Sequence, residues 1–287
     1  MAQKVIIDAA AAGTFTLGGD LPVHRLGFGA MRITGPGIWG PPPDRERAKA
    51  VLRRAVELHV NLIDTADSYG PYVSEEIIAE ALYPYPNGLV IATKGGYVRP
   101  GADKWVPDGR PEHLREALEG SLRRLRLERI DVYQFHVPDP KVPFEESVGA
   151  LAEMQREGKI RHVGLSNVSA AQVETAERIV PIVSVQNRYN LDDRGSEDVL
   201  GLCARRNLGF FPWAPVGRAV PSQKEALQKI ARAHDATPMQ VMLAWLLQHS
   251  PVMLPIPGTG SVEHLEENVA AASLHLRDEE VAALEGR

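Results

Sequence analysis

In Asn61-Leu-Ile-Asp-Thr-Ala-Asp-Ser-Tyr-Gly70 a short apolar run, Leu62-Ile63, ends at Asp64, and Tyr69 follows five residues later. So short a run, bounded by polar residues, reads as a strand buried on both faces. Such a strand delivers the carboxylate to its C-terminal tip and leaves the phenol on the loop beyond. The same unit recurs along the chain. Short apolar runs begin near residues 26, 62, 89, 130, 160, 183, 208 and 252, and a helical pattern follows each. The helices are expected over 45–58, 74–82, 111–125, 144–157, 170–179, 197–205, 223–233, 238–248, 262–271 and 278–284. Eight βα units predict an α/β protein, a (β/α)8 barrel. An open doubly wound sheet is the rival, but no Gly-x-Gly-x-x-Gly turn follows any strand.

Outside this alternation, residues 14–23 read as a β-hairpin turning at Gly18-Gly19 and closing the bottom of the barrel. A Pro/Gly loop over 35–43 carries Trp39, and a long loop over 95–110 carries Tyr97 and Trp105. Asp44, Thr237-Pro238 and Asp278-Glu-Glu280 mark helix starts. No linker or low-complexity tract divides the 287 residues, so one domain over 1–287 is expected, with a short extra C-terminal helix.

The chain is 44% hydrophobic and 24% charged, a soluble globular balance, and its net charge of −5 leaves no basic footprint for nucleic acid. A single cysteine, Cys203, rules out an intrachain disulfide and fits a reducing, cytoplasmic setting; its apolar neighbours read it as core filler. No uninterrupted apolar run reaches the length of a membrane span, and residues 1–13 lack the pattern of a secretory signal. No His, Asp or Glu group has metal-ligand spacing.

Barrel active sites lie at the C-terminal ends of the strands. Those ends offer Asp64 with Tyr69 beyond it, Lys94, His136, Ser166-Asn167, Gln186-Asn187, Trp213 and the turn Ile256-Pro-Gly-Thr-Gly260. A phenol is a poor acid at neutral pH, and a neighbouring ammonium lowers its pKa. A carboxylate holds that ammonium, and an imidazole orients a carbonyl oxygen. The set suits general acid–base catalysis at a carbonyl or alcohol. Trp39, Tyr97 and Trp105 lie on loops at the same end, placed to line a substrate pocket or to pack locally.

The chain resembles the aldo-keto reductases over nearly its whole length, in the manner of their bacterial, short-loop branches. The resemblance is carried by Asp64-Thr-Ala-Asp-Ser-Tyr-Gly70 with Ser74-Glu75, Thr93-Lys94, Gln134-Phe-His136 with Pro138-Asp139, Gly158-Lys-Ile-Arg-His-Val-Gly-Leu-Ser-Asn167, Gln186-Asn187 with Tyr189-Asn190, Ala214-Pro215 with Gly217, and Ile256-Pro-Gly-Thr259 with His264-Leu-Glu-Glu-Asn268. It implies that Asp64, Tyr69, Lys94 and His136 form a catalytic tetrad, with Tyr69 giving the proton in reduction of an aldehyde or ketone by NADPH. It implies cofactor contacts at Gly29, Met31 and Asp64. Ser166, Asn167 and Gln186 would meet the carboxamide and Trp213 would stack on the nicotinamide. Ala214, Pro215, Val216, Gly217 and Arg218 would run along the pyrophosphate. Ile256, Gly258, Thr259, Gly260, His264, Glu267 and Asn268 would take the adenosine phosphate and adenine. The chain departs from the pattern where some members carry Lys and Arg against the 2′-phosphate: Gly258 and His264 stand there, which leaves NADH open beside NADP. A monomer follows from the resemblance alone. A redox-sensing cofactor-binding subunit with little turnover, and a lyase using Lys94 as a Schiff-base nucleophile, are the other functions considered.

Overall fold

Residues 7–217 and 221–286 are described in the computed structural model. In chain order, hairpin strands β1 (Thr14–Leu17) and β2 (Leu21–His24) precede β3 (Phe28–Gly29) and α1 (Arg45–Glu57). Then come β4 (Leu62–Asp64), α2 (Val73–Leu82), β5 (Val90–Gly95), a second hairpin of β6 (Tyr97–Gly101) and β7 (Lys104–Pro107), and α3 (Pro111–Leu125). The chain continues through β8 (Ile130–Phe135), α4 (Phe144–Arg156), β9 (Ile160–Ser166), α5 (Ala170–Glu177), β10 (Ile182–Arg188), α6 (Glu197–Arg206) and β11 (Gly209–Trp213). Helices α7 (Pro221–Ala233), α8 (Pro238–His249), α9 (Val262–Ala270) and α10 (Asp278–Glu285) complete it.

Seven parallel strands run in the order β11-β10-β9-β8-β5-β4-β3. The expected eighth strand, 252–256, is an extended stave instead of a regular strand. Pro251, Pro255 and Pro257 have no N–H to give to a ladder. The stave still closes the sheet. Phe210 N donates to Val252 O and Leu254 N to Phe210 O, both at 2.8 Å. On the other side Gly27 N donates to Pro255 O at 2.9 Å and Gly29 N to Pro257 O at 3.3 Å. The chain is therefore a closed (β/α)8 barrel with helices outside.

The first barrel strand is only Phe28–Gly29, beginning two residues after the expected start near 26. A Cβ on Gly29 would lie 2.5 Å from Ile256 O, so the backbones press together here, and the chain then turns into a 3-10 segment, Ala30–Ile33. In the first hairpin Leu17 pairs with Leu21, which puts Asp20 in the turn with Gly18 and Gly19. Both glycines have positive φ, which that turn requires. Asp20 bonds Arg161 and His162 at the start of β9, and Leu17 is buried against Gly209 at the start of β11. The hairpin thus lies at the N-terminal ends of the strands, opposite the polar tips.

Helix starts follow local chemistry. Asp44 accepts from Arg47 N at 2.9 Å, and Thr237 with Gln240 forms a reciprocal capping box ahead of Pro238. Cys203 is fully buried in α6, and burial pushes its thiol up to about 12, so it is unreactive packing.

Behind the active face, α2 delivers Glu75 into a fully buried position. Thr93 Oγ1 donates to its Oε1 at 2.6 Å and Arg124 Nε to its Oε2 at 2.7 Å. This ties α2, β5 and α3 together. Arg124→Ala should strand the carboxylate, since removing one partner of a buried pair costs about 3 kcal/mol or more. For a chain of this size the melting temperature should fall by roughly 6–12 °C, read by calorimetry. A fall within about 1 °C would mean that the pair carries no stability.

Candidate active site

The period of each buried strand fixes which side chain stands at its tip. Asp64 ends β4, Lys94 is next to last in β5, and His136 follows β8. Tyr69 returns on the loop after β4. All four are buried and meet at one end of the barrel.

Lys94 Nζ donates to Asp64 Oδ2 at 2.7 Å, to Thr65 O at 2.8 Å and to Tyr69 OH at 3.4 Å. An ammonium has three protons, and these are its three acceptors. Tyr69 oxygen is therefore an acceptor toward Lys94, and its own O–H is free to point elsewhere. Asp64 is fixed from the other side: its Oδ1 accepts from Gln186 Nε2 at 2.8 Å and Gln134 Nε2 at 3.1 Å. His136 has Ser68 Oγ 3.4 Å from its Nδ1, and its ring stands edge-on to Tyr69 with centroids 5.9 Å apart.

Burial and charge set the protonation states. Burial pulls the Lys94 ammonium down, but Asp64 and then Tyr69 outweigh it, and its pKa ends above the ordinary range. An ammonium so held has no lone pair for imine formation, which speaks against the Schiff-base reading of Lys94. Burial raises the Tyr69 phenol, and the pull of Lys94 only partly offsets it. Lys94 thus acts on the phenol in the expected direction, and burial, which the sequence did not show, leaves the phenol above its ordinary value. His136 is held well below its ordinary pKa by burial and then by Lys94, so its imidazole is neutral. Asp67, on the loop from β4, is buried with its Oδ1 unpartnered; burial and then Glu75 raise its pKa well above the usual range.

Asp64, Tyr69 and His136 line a cavity of about 630 Å³, and Lys94 lies buried behind them. Of the residues expected at a cofactor, Gly29, Met31, Asp64, Ser166, Asn167, Gln186, Trp213, Ala214, Pro215, Val216, Ile256, Gly258 and Asn268 line it. Gly217, Thr259, Gly260, His264 and Glu267 stand outside its wall. A Cβ on Gly217 would meet Asp192 at 2.4 Å, Thr259 Oγ1 accepts from Ser261 N at 3.1 Å, and Glu267 O accepts from Gln240. Arg218 lies outside the described residues. Tyr97 and Trp105 join the wall; Trp39 does not, being 37% exposed, and Ile38 takes its place. Pro257, inside the turn expected at the site, joins the wall, and Arg32, Ile38 and Met239 line it without having been singled out in the sequence. Arg32 and Ile38 follow the first barrel strand, so the strand-end rule already pointed to their neighbourhood. Gln134, two residues before His136 on β8, was legible by the same rule.

At the polar end the amides are committed in a definite sense. Gln186 spends Nε2 on Asp64 and on Gln134 Oε1 at 3.3 Å, leaving its own oxygen as an acceptor. Asn167 Nδ2 donates to His136 O at 3.0 Å and Ser166 Oγ at 3.1 Å, and Asn167 Oδ1 accepts from Trp213 Nε1 at 3.0 Å. Ser166 thus keeps a hydroxyl proton to give. Asn167 and Ala214, both at positive φ, make the sharp exits from β9 and β11 that aim these groups. Among the described residues no helix is long and apolar enough to cross a membrane, and no three His, Cys, Asp or Glu side chains group as metal ligands.

Residues 25–286 match the model of the aldo/keto reductase family. The chain is 50% identical over 285 residues to an uncharacterized oxidoreductase of Schizosaccharomyces pombe, covering 99% of this chain and 92% of that one. It is 47% identical over 282 residues to pyridoxine 4-dehydrogenase of Escherichia coli, covering 96% and 98%. An aldo/keto reductase of Klebsiella pneumoniae, solved in complex with NADP and acetate, superposes with a TM-score of 0.80 at 29% identity, over 95% of this chain and 94% of that one. Fold, strand-tip chemistry and sequence agree, and the chain belongs to the aldo-keto reductase family.

Proposed function

We propose that the chain reduces aldehydes with NADPH, with Tyr69 as the general acid, and that its preferred substrates are planar aromatic aldehydes of the pyridoxal type. The observation that carries the reading is the saturation of Lys94: with its three protons given to Asp64, Thr65 and Tyr69, the phenol proton is left for a substrate oxygen in the cavity. The donor set fits a nicotinamide. Ser166 offers a proton and Gln186 and Asn167 offer oxygens, the complement of a carboxamide's C=O and NH2, and the indole of Trp213 offers a flat face beside them. When bound, the cofactor supplies the hydride.

The residues of the chain do the rest. His136 is neutral, and in the tautomer with its proton on Nε2, the one in which Nδ1 accepts from Ser68 Oγ, the ring orients a carbonyl oxygen without protonating it. Tyr69 then gives its proton to that oxygen as negative charge develops. The Lys94 ammonium stabilises the phenolate left behind, and Asp64 keeps Lys94 charged. In alcohol oxidation the phenolate takes the proton back.

Two facts support the substrate class. Tyr69, Tyr97, Trp105 and His136 present ring edges and faces to one another at centroid distances of 4.7–6.4 Å, a wall suited to a flat ring. The Escherichia coli relative is a pyridoxine 4-dehydrogenase, whose named substrate is the alcohol of such an aldehyde. The test follows loss of the reduced nicotinamide absorbance with pyridoxal, benzaldehyde and butanal, each with NADPH and with NADH. Turnover should be fastest for the two aromatic aldehydes and should favour NADPH. No turnover with any aldehyde would reject the reductase reading. A clear NADH preference would reject the NADPH half, and butanal as the best substrate the aromatic half.

A further inference from the structure

Arg99 carries a feature that the reaction does not use. It lies in β6 at the irregularity where the pairing with β7 shifts between Val98 and Gly101. Its side chain is 9% exposed and is bonded to main-chain oxygens of three segments. Nη1 donates to Ile38 O at 3.3 Å and to Ser68 O at 3.1 Å; Nη2 donates to Gly37 O at 3.5 Å and to Ala102 O; Nε donates to Lys104 O at 3.1 Å. A guanidinium has five protons, and five carbonyls receive them. The plane of the group lies against Trp105, 3.6 Å from the ring centroid, with Trp39 at 5.5 Å on another side.

Each segment so tied carries a residue of the cavity wall: Ile38, Tyr69 beside Ser68, and Tyr97 with Trp105 on the hairpin. Trp105 in turn stands edge-on to Tyr69 at 73° and to His136 at 75°. One side chain therefore fixes the positions of three loops and one ring face. Lysine could not do this: an ammonium has three protons, no plane to stack and no fork to span five acceptors.

We propose that Arg99 is a positioning residue that sets substrate specificity, clamping the β6–β7 hairpin onto the loops after β3 and β4 so that Trp105 forms a rigid wall for planar rings. The inference rests on the reductase reading for its substrate and on its own contacts for the clamp. Arg99→Lys is the first variant. Its ratio of kcat/KM for pyridoxal to kcat/KM for butanal should fall about tenfold, mainly through KM for pyridoxal. NADPH affinity and the pH profile should stay as in the wild type, and amide exchange should quicken in both 97–107 and 35–40. A folded Arg99→Lys protein with an unchanged ratio would overturn the proposal. So would equal losses on both aldehydes together with weakened NADPH binding, the mark of a merely structural role. Should Arg99→Lys fail to fold, Trp105→Ala, which keeps the guanidinium and its carbonyls, should lower the same ratio; an unchanged ratio there overturns the proposal. If the wild type turns over no aldehyde, the reductase reading fails first. The exchange experiment then still decides the clamp, which is refuted if both segments exchange as slowly in Arg99→Lys as in the wild type.

Discussion

Tyr69→Phe should lower kcat for aldehyde reduction by roughly 10²–10⁴-fold, the range of a lost general acid. The fold and NADPH affinity should be kept. The phenol ring packs edge-on against Trp105 and His136, and Phe preserves that packing. Lys94 loses one of three acceptors but keeps Asp64 and Thr65 O, so its charge stays neutralised. Because the loss falls on a proton transferred in the transition state, KM should move little while kcat collapses. The pH dependence adds a second check. Burial lifts the Tyr69 phenol above its ordinary value of 10.0, so in the wild type the acid form persists through neutral pH. Reduction should be flat between about pH 6 and 9, with no limb from His136, which stays neutral there. Alcohol oxidation needs the phenolate and should climb with pH over the same range. Steady-state kinetics in both directions, with NADPH binding followed by fluorescence, read all of this. Turnover within about tenfold of wild type in a folded Tyr69→Phe protein would take the proton-donor role away from this residue.

How far such a site can be read from sequence depends on how rigidly the backbone translates position into space. Asp64, Lys94 and His136 were legible because a buried strand has one exit, and the residue at that exit has nowhere else to go. Tyr69 was legible because it follows Asp64 by only five positions. The Lys94-bound arrangement needed coordinates, and so did the sign of the phenol's shift: a sequence shows that charge is near, not how much water has been excluded. The β6–β7 hairpin was hidden because its pairing shifts between Val98 and Gly101, which breaks the alternation that marks a strand. Trp39 was expected in the pocket and Ile38 was not. Gly37 and Ile38 both turn through positive φ, a conformation no pattern assigns to a β-branched residue, and the turn exchanges the inward and outward sides. The eighth stave was recognised by its apolar character, while its prolines, plain in the sequence, keep it from forming a regular ladder.

Asp64→Asn should separate activity from stability in a way that pH exposes. An amide that keeps its oxygen for Gln134 and Gln186 turns an NH2 donor toward Lys94 in place of a carboxylate oxygen 2.7 Å away. Burial lowers the Lys94 pKa and Asp64 is the first of the groups that raise it. Without that charge the burial penalty loses its largest opponent, and the folded-state pKa of Lys94 should fall below its ordinary value of 10.5. The charged form is then an unpaired buried ammonium, and breaking such a pair costs about 3–5 kcal/mol. In the wild type the raised pKa gives a contribution fully present below 10.5 and lost as pH rises through the folded value. In the variant the unfolded chain binds more protons than the folded one between the lowered value and 10.5, so stability rises with pH across that window. The melting-temperature deficit against wild type should therefore be largest at low pH and should narrow as pH rises. Activity should run the other way. A neutral Lys94 cannot stabilise the Tyr69 phenolate, so reduction, already down by roughly 10²-fold, should fall further with rising pH where the wild type is flat. Paired scans of melting temperature and kcat across pH 6–10 (about the span where both can be measured) would show the two curves diverging. A variant whose melting deficit and activity are both independent of pH would mean that Asp64 does not keep Lys94 charged.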